Sequence, residues 1–180
     1  MKIVAYIPAA LLCAALAACQ PAETSSQPET ETQKETSMFT PLTDNIKVSP
    51  QITLDQVAAA KDEGVTLIIN NRPDGEDPES PQSADIEAAA KAAGIDYIAI
   101  PITHSGFSMP QVDAMIAALE KSEGNTLAYC RSGTRSTLLW ALAQAKQGKN
   151  PASLSATAAR AGYDLTPIRP MLDALSADAG

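Results

Sequence analysis

The chain has 180 residues, of which 13 are Lys or Arg and 21 are Asp or Glu, and its formal net charge is −8. This length suits one domain of ordinary size, and the acidic balance, with no block of basic residues, argues against a nucleic-acid partner. One histidine and three cysteines offer no spacing typical of a metal site, and no motif predicts a cofactor.

The first 18 residues predict export. They carry one positive charge, at Lys2, before an apolar stretch that is too short to span a bilayer. The run from Leu16 to Cys19 resembles the lipobox of bacterial lipoproteins, which implies cleavage before Cys19 and lipidation of that cysteine. We therefore expect a protein that is anchored to a membrane by its N-terminal lipid and faces the periplasm. In a Gram-negative cell, Gln20 favours the outer membrane; the alternative is an ordinary signal peptide cut nearby, with Cys19 incidental.

Residues 19–37 are predicted to be the lipidated N-terminus and a disordered linker. After the cysteine this segment contains no large apolar residue and is dominated by Glu, Thr, Ser, Gln and Pro. Such a segment buries too little apolar surface to offset the conformational entropy lost on ordering. The globular domain is therefore predicted to span residues 38–180.

Short apolar runs alternate with helical patterns through this domain. Strands are predicted at 65–69, 97–100 and 126–129, with a short edge strand at 47–50. Helices are predicted at 52–63, 84–93, 109–121, 134–147, 151–160 and 167–175. Strands that alternate with helices require crossover connections. The expected fold is α/β: a single three-layer domain whose central, mainly parallel sheet of about four to five strands is flanked by helices.

The segment AYCRSGTRS, residues 128–136, joins the strand predicted at 126–129 to the following helix. Cys130 is alone in the mature domain, because Cys13 leaves with the signal and Cys19 carries the lipid. A lone thiol in an oxidising compartment indicates a functional cysteine, and a buried structural cysteine is the alternative.

The residues after Cys130 predict an anion-binding loop. Their backbone N–H groups can wrap around an anion at the N-terminus of the helix, and this arrangement favours the thiolate form of the cysteine. The loop consists of Arg131, Ser132, Gly133, Thr134 and Arg135. The glycine gives the backbone its freedom, the guanidinium of Arg135 can bind the same anion through two hydrogen bonds, and Ser136 can hydrogen-bond to the sulfur.

This loop resembles two families of cysteine enzymes. Tyrosine and dual-specificity phosphatases place five residues between cysteine and arginine, whereas single-domain rhodaneses, like CRSGTRS here, place four. The segments VSPQIT, TLIINNRPDGE, AAGIDYIAIPI and LAYCRSGTRSTLLWALA together resemble the phosphatase-like domain of bacterial β-lactamase hydrolase-like proteins. The family implies a cysteine-phosphatase-like fold and chemistry of the dual-specificity type, and its short loop leaves sulfur transfer open.

The phosphatase resemblance implies a role for each site residue. The Cys130 thiolate attacks phosphorus, the loop amides and Arg135 stabilise the transition state, and Ser136 assists departure of the sulfur. The family's general acid, an Asp, should lie in the segment PITHSGFSM, which has no carboxylate and whose one titratable side chain is His104. Asp74, together with Glu76, in the segment RPDGEDPE is the fallback.

Two other functions stay open at this point. A rhodanese-like sulfurtransferase would form a persulfide on Cys130 from a sulfane-sulfur donor and would need no general acid. A catalytically idle lipoprotein would use the loop only to hold a small anion. The phosphatase interpretation, with a small-molecule or otherwise phosphorylated substrate, is the one that we favour.

Overall fold

A computed structural model describes residues 37–179. The predicted signal peptide, the predicted lipidation at Cys19 and the linker up to residue 36 lie outside the described residues. Between residues 37 and 179, no helix combines the length and the apolar character needed to cross a membrane. The same span contains no cluster of three or more His, Cys, Asp or Glu side chains suited to holding a metal ion.

The centre of the domain is a five-stranded sheet with the order β1-β2-β5-β3-β4. The strands are β1 (Thr40–Pro41), β2 (Ile46–Ser49), β3 (Val65–Asn70), β4 (Asp96–Ala99) and β5 (Asn125–Tyr129). All neighbouring pairs are parallel except β1 and β2, which are antiparallel. The predicted mainly parallel sheet is therefore confirmed, whereas the predicted edge position of 47–50 is wrong, because β1 covers the outer side of β2.

The helices are α1 (Leu54–Asp62), α2 (Ser83–Ala92), α3 (Met109–Lys121), α4 (Thr134–Lys146), α5 (Pro151–Arg160) and α6 (Arg169–Asp178), with a short 3₁₀ turn at Thr166–Ile168. Each of these elements overlaps a helix that the sequence predicts. Local signals explain this agreement: the Thr53 hydroxyl accepts a hydrogen bond from the backbone N–H of Gln56 at the start of α1, and glycines with positive φ follow several helices.

The two faces of the sheet carry separate apolar cores, which makes the domain three-layered. On one face, α1 and α2 pack against inward side chains that include Ile68 and Leu127. On the other face, side chains of α3, α4, α5 and α6 form one core together with strand side chains that include Ile69 and Ala128. Neighbouring residues of a strand point to opposite faces, so a run that is buried on both faces has to be apolar throughout.

Candidate active site

The candidate site lies where four parallel strands end. Since β2, β5, β3 and β4 are parallel neighbours, their carboxyl ends meet at one edge of the sheet. Four connections leave this edge: the short segment 50–53 between β2 and α1, the β3 loop (residues 71–82), the β4 loop (residues 100–108) and the short Cys loop (residues 130–133) that joins β5 to α4. The topology therefore brings all the sequence-predicted loops to the same side of the molecule.

The sulfur of Cys130 lies inside the Cys loop. Cys130 is fully buried, and the backbone N–H of Gly133 donates a hydrogen bond to its Sγ over 3.2 Å. Gly133 has φ of 86° and forms the N-cap of α4. That left-handed conformation is strained for any residue with a Cβ, so glycine at this position allows the N–H to turn toward the sulfur.

Ser136 does not make the hydrogen bond that the sequence suggests. Its hydroxyl is buried in the first turn of α4 and has no hydrogen-bond partner among the described residues. Within this part of the chain the sulfur accepts its hydrogen bond from the Gly133 amide instead. A buried hydroxyl without a partner carries a desolvation cost of about 1–3 kcal/mol.

Arg135 is held by two neighbours across the site. Its Nη1 and Nη2 donate to Oε1 and Oε2 of Glu76 over 2.6 and 2.8 Å, and Nη1 also donates to the carbonyl oxygen of Ile102 over 2.8 Å. The hydrogen bonds that Arg135 donates to Glu76 raise the pKa of its guanidinium, and the neighbouring Cys130 raises it further. The guanidinium is thus preorganised beside the sulfur by contacts to both the β3 loop and the β4 loop.

Glu76 is a structural carboxylate in this arrangement. Its hydrogen bonds from Arg135, with a further contribution from Arg72, lower its pKa to about 2. A group that stays ionised at neutral pH cannot supply a proton to a leaving group. The two arginines stabilise the ionised carboxylate of Glu76, and this disfavours the residue as the fallback proton donor.

Arg72 links the β3 loop to the rest of the fold. The side chain is 8% exposed, and it donates to Glu76 Oε2 over 3.1 Å, to Gln51 Oε1 over 2.7 Å and to Ser80 Oγ over 3.3 Å. The partners that anchor the Arg72 guanidinium are thus all side chains. This guanidinium fixes Glu76, which in turn fixes Arg135.

An open pocket of about 370 Å³ lies over the Cys loop. It is lined by Glu76, Thr103, His104, Arg131, Ser132 and Arg135. His104 is exposed at this pocket, next to the predicted anion-binding residues. Cys130 is not among the lining residues, because its sulfur is closed off from solvent in this conformation.

Asp74 is not brought to the pocket. Its Oδ1 accepts a hydrogen bond from the backbone N–H of Ser83 over 2.7 Å, at the start of α2. A carboxylate at a helix N-terminus satisfies an otherwise free backbone N–H and interacts favourably with the helix dipole. The structure therefore gives Asp74 a capping contact, whereas His104 lies in the pocket with Arg135.

Sequence reasoning misses one neighbour of the Cys loop. Tyr163 follows α5, and its hydroxyl approaches Gly133 so closely that a Cβ on that glycine would lie 2.1 Å from it. Nothing in the motif CRSGTRS signals this contact, because Tyr163 is 31 residues away from the Ser132 carbonyl that its hydroxyl meets.

The sequence profile of one protein family matches residues 38–147; that family is described as "Beta-lactamase hydrolase-like protein, phosphatase-like domain". A curated β-lactamase hydrolase-like protein from Xylella fastidiosa (strain Temecula1) is 32% identical over 108 residues, which is 60% of this chain and 25% of the relative. The chain therefore spans about a quarter of the length of the curated relatives that it matches.

Solved structures agree with this match. The crystal structure of a candidate phosphatase from Neisseria meningitidis Z2491 is 30% identical with a TM-score of 0.68, and the alignment covers 76% of this chain and 97% of that chain. PTPMT1, solved in complex with PI(5)P, is 14% identical with a TM-score of 0.61, and the alignment covers 79% of this chain and 99% of that chain. At such low identity, the second structure supports the fold alone, which is that of the cysteine phosphatases.

Proposed function

The chain belongs to the family of the phosphatase-like domain of β-lactamase hydrolase-like proteins, and we propose that it is a cysteine-dependent phosphatase with Cys130 as the nucleophile. The observation that carries this proposal is the Gly133 N–H that donates to Cys130 Sγ over 3.2 Å beside a preorganised Arg135. Backbone amides and a guanidinium that converge on one sulfur stabilise a thiolate and bind an anionic phosphoryl group.

In the first chemical step the Cys130 thiolate attacks phosphorus. A P–S bond forms while the P–O bond to the leaving group breaks, and the phosphoryl charge is stabilised by the Cys-loop amides and Arg135. The loop residues Arg131, Ser132, Gly133 and Thr134 provide the amides. The hydroxyl of Ser136, which is buried without a partner beside the loop, donates to the sulfur as it leaves in the second step.

His104 supplies the proton in this mechanism. It is the titratable side chain of the β4 loop, it lies in the pocket with Arg135, and an imidazole suits proton transfer near neutral pH. The imidazolium protonates the leaving oxygen in the first step. The resulting neutral imidazole takes a proton from water in the second step, in which water attacks phosphorus, the P–S bond breaks and phosphate leaves.

The pocket favours an anionic phosphomonoester as substrate. It exposes two cationic residues, Arg131 and Arg135, around an opening of about 370 Å³, so a phosphoryl group on a small molecule or on an exposed side chain fits it. Because Cys130 is buried, substrate binding requires side chains at the mouth of the Cys loop to move aside, while Glu76 holds the Arg135 guanidinium in place.

A second candidate function is sulfur transfer. It is favoured by the ionised state of Glu76, whose pKa is about 2 because of its hydrogen bonds from Arg135 and Arg72, since a persulfide mechanism needs no proton donor. The Cys130 thiolate would attack the sulfane sulfur of thiosulfate and form a persulfide as sulfite leaves. Cyanide would then remove that sulfur as thiocyanate and regenerate the thiolate.

We also propose that the protein is exported and anchored by lipid on Cys19, with the phosphatase-like domain in the periplasm. The support is the lipobox-like run that ends in Cys19 after an apolar stretch of signal-peptide type. Globomycin, which blocks lipoprotein signal cleavage, should slow the electrophoretic mobility of the full chain. Cys19→Ala should remove that response, and an unchanged mobility with globomycin would contradict the anchor.

One assay separates the functions. The full chain and its Cys130→Ser and Cys130→Ala variants are tested for phosphate release from an aryl phosphate and for thiocyanate formation from thiosulfate and cyanide. The phosphatase proposal predicts phosphate release that falls by at least about 10³-fold in both variants. Thiocyanate formation without phosphate release would refute the phosphatase proposal and support sulfur transfer. If the wild type catalyses neither reaction, the remaining interpretation is a non-catalytic anion-binding lipoprotein.

A further inference from the structure

Tyr163 is presented to the Cys loop by a rigid turn. Gly162, with φ of 86°, ends α5, and the backbone N–H of Tyr163 donates to the carbonyl oxygen of Ala158 over 2.9 Å. On the other side, Asp164 Oδ1 accepts from the backbone N–H of Thr166 over 2.8 Å. These contacts close the end of α5 and start the next turn, so the backbone position of the tyrosine is fixed on both sides.

The hydroxyl of Tyr163 contacts the Cys loop at two points. Its Oη donates to the carbonyl oxygen of Ser132 over 3.4 Å, and it lies 2.1 Å from the place that a Cβ on Gly133 would occupy. Burial raises the pKa of Tyr163, and the neighbouring Cys130 raises it further. The phenol therefore stays protonated and remains a hydrogen-bond donor.

The two hydrogen bonds around the Cys loop belong to one peptide group. The Ser132 carbonyl, which accepts from Tyr163, and the Gly133 N–H, which donates to Cys130 Sγ over 3.2 Å, are opposite ends of the same planar unit. Holding the oxygen end therefore fixes the direction of the N–H end. Glycine at 133 makes such a restraint useful, because its backbone rotates more freely than that of any other residue.

We propose that Tyr163 is a positioning residue for the Cys130 reaction, which keeps the Ser132–Gly133 peptide turned with its N–H toward the sulfur. The inference rests on the proposed phosphatase function for its catalytic consequence, while the peptide orientation can be measured without any activity. Tyr163 lies beyond residue 147, where the family match ends.

The test uses the full chain with Tyr163→Phe, which keeps the ring and removes the hydroxyl. Tyr97→Phe is the matched control, because the Tyr97 hydroxyl contacts Asn70 and Ser83 at α2 and not the Cys loop. Two quantities are measured: the dissociation constant for tungstate, a non-reacting oxyanion, and the amide resonance of Gly133 in ¹⁵N-labelled protein. If the phenylalanine variant folds poorly, Tyr163→Met repeats the test with an apolar side chain of similar length.

For Tyr163→Phe we expect tungstate affinity and kcat to fall by about 3–10-fold, with a displaced Gly133 amide resonance. The control should change each of these by less than about twofold and leave the Gly133 resonance in place. An unchanged Gly133 resonance in Tyr163→Phe overturns the proposal whatever happens to kcat, and so does an unchanged tungstate affinity. A wild type without phosphatase activity refutes only the proposed function, because the tungstate and amide measurements still decide the role of Tyr163.

Discussion

The β3 loop and the β4 loop flank the same cysteine, yet they are built in opposite ways. The β3 loop (71–82) is tied together by side chains: Arg72 contacts Glu76, Gln51 and Ser80, and Glu76 reaches across to Arg135. The β4 loop (100–108) is anchored at its stem, where Ile102 is buried. Its tip is exposed, and His104 there makes no side-chain hydrogen bond to a described residue.

This difference separates two tasks of the proposed reaction. A cation beside the sulfur needs a fixed position, and the hydrogen-bonded network of Arg72, Glu76 and Arg135 provides that position before substrate binds. Moving a proton requires a group that titrates near neutral pH and reaches the leaving group, so an exposed imidazole on a less constrained loop suits that step. The comparison therefore predicts that substitutions in the β3 loop act on stability and geometry, whereas those in the β4 loop act on proton transfer.

The largest effect is expected from Arg72→Ala, which removes the centre of the β3 network. Arg72 is 8% exposed, and its loss leaves Glu76 and Gln51 without a shared partner. We expect the free energy of unfolding to fall by about 3 kcal/mol, as measured by urea denaturation. Arg160→Ala, which deletes an exposed guanidinium from α5, is the control and should cost less than about 0.5 kcal/mol. Equal losses in the two variants would show that the network is not structural.

The next effect is that of His104→Asn on catalysis. We expect kcat to fall by about 10²-fold with an alkyl phosphate, whose leaving group needs a proton. With an aryl phosphate, whose leaving group is stable as an anion, the loss should be much smaller. Ser105→Ala, the neighbouring exposed residue, serves as control in the same kinetic assay. The same loss on both substrates would mean that His104 acts in some other way than as a proton donor.

Glu76→Gln should give an intermediate effect, with a distinct pH signature. In this variant the neutral glutamine side chain can still accept a hydrogen bond from Arg135, but the ion pair is lost. Because the guanidinium is then held less firmly, kcat should fall by about 10-fold. The pKa of Glu76 is lowered from 4.5 to about 2 by Arg135 and Arg72, so its ionised form stabilises the folded state. That contribution is complete above the unfolded pKa and is lost as the pH falls through the folded pKa.

Urea denaturation of the wild type and Glu76→Gln across this range measures that signature. The difference between their free energies of unfolding should be constant above about pH 5 and should shrink as the pH approaches 2. A difference that does not depend on pH would contradict the ion pair with Arg135.

The smallest effect is expected from Asp74→Ala. The Asp74 carboxylate accepts a hydrogen bond from the Ser83 N–H at the start of α2, so the variant should lose about 0.5–1 kcal/mol of stability. Its kcat and KM should stay within about twofold of the wild type, since the residue lies outside the pocket. If Asp74→Ala lowers kcat as much as His104→Asn does, Asp74 would instead be the proton donor.

Local patterns explain why much of the fold is predictable from the sequence. Short apolar runs, helix caps such as Thr53 and glycine stops each act over a few residues, and they locate β3, β4, β5 and all six α-helices. The short strand β1 has no such signal, because two residues carry no periodicity. Its pairing with β2 depends on the tertiary structure.

The site is predictable only where it is contiguous in sequence. The Cys loop is read directly from AYCRSGTRS, because its residues follow one another. The partners of that loop are distant: Glu76 is 59 residues from Arg135, and Tyr163 is 31 residues from Ser132. From the sequence, Glu76 in its Pro-rich segment is assigned to a solvent-exposed turn. Only the folded structure shows that Arg135 lies beside it.

In the proposed reaction the Cys130 thiolate forms a covalent bond to phosphorus. The most direct measurement is rapid acid quench of the full chain during turnover of an aryl phosphate, followed by mass spectrometry of the peptide that contains Cys130. We expect a phosphoryl group on Cys130 in the wild type and an unmodified peptide in Cys130→Ala. Turnover of the same substrate by Cys130→Ala, or a phosphoryl group on another residue, would contradict the proposed reaction.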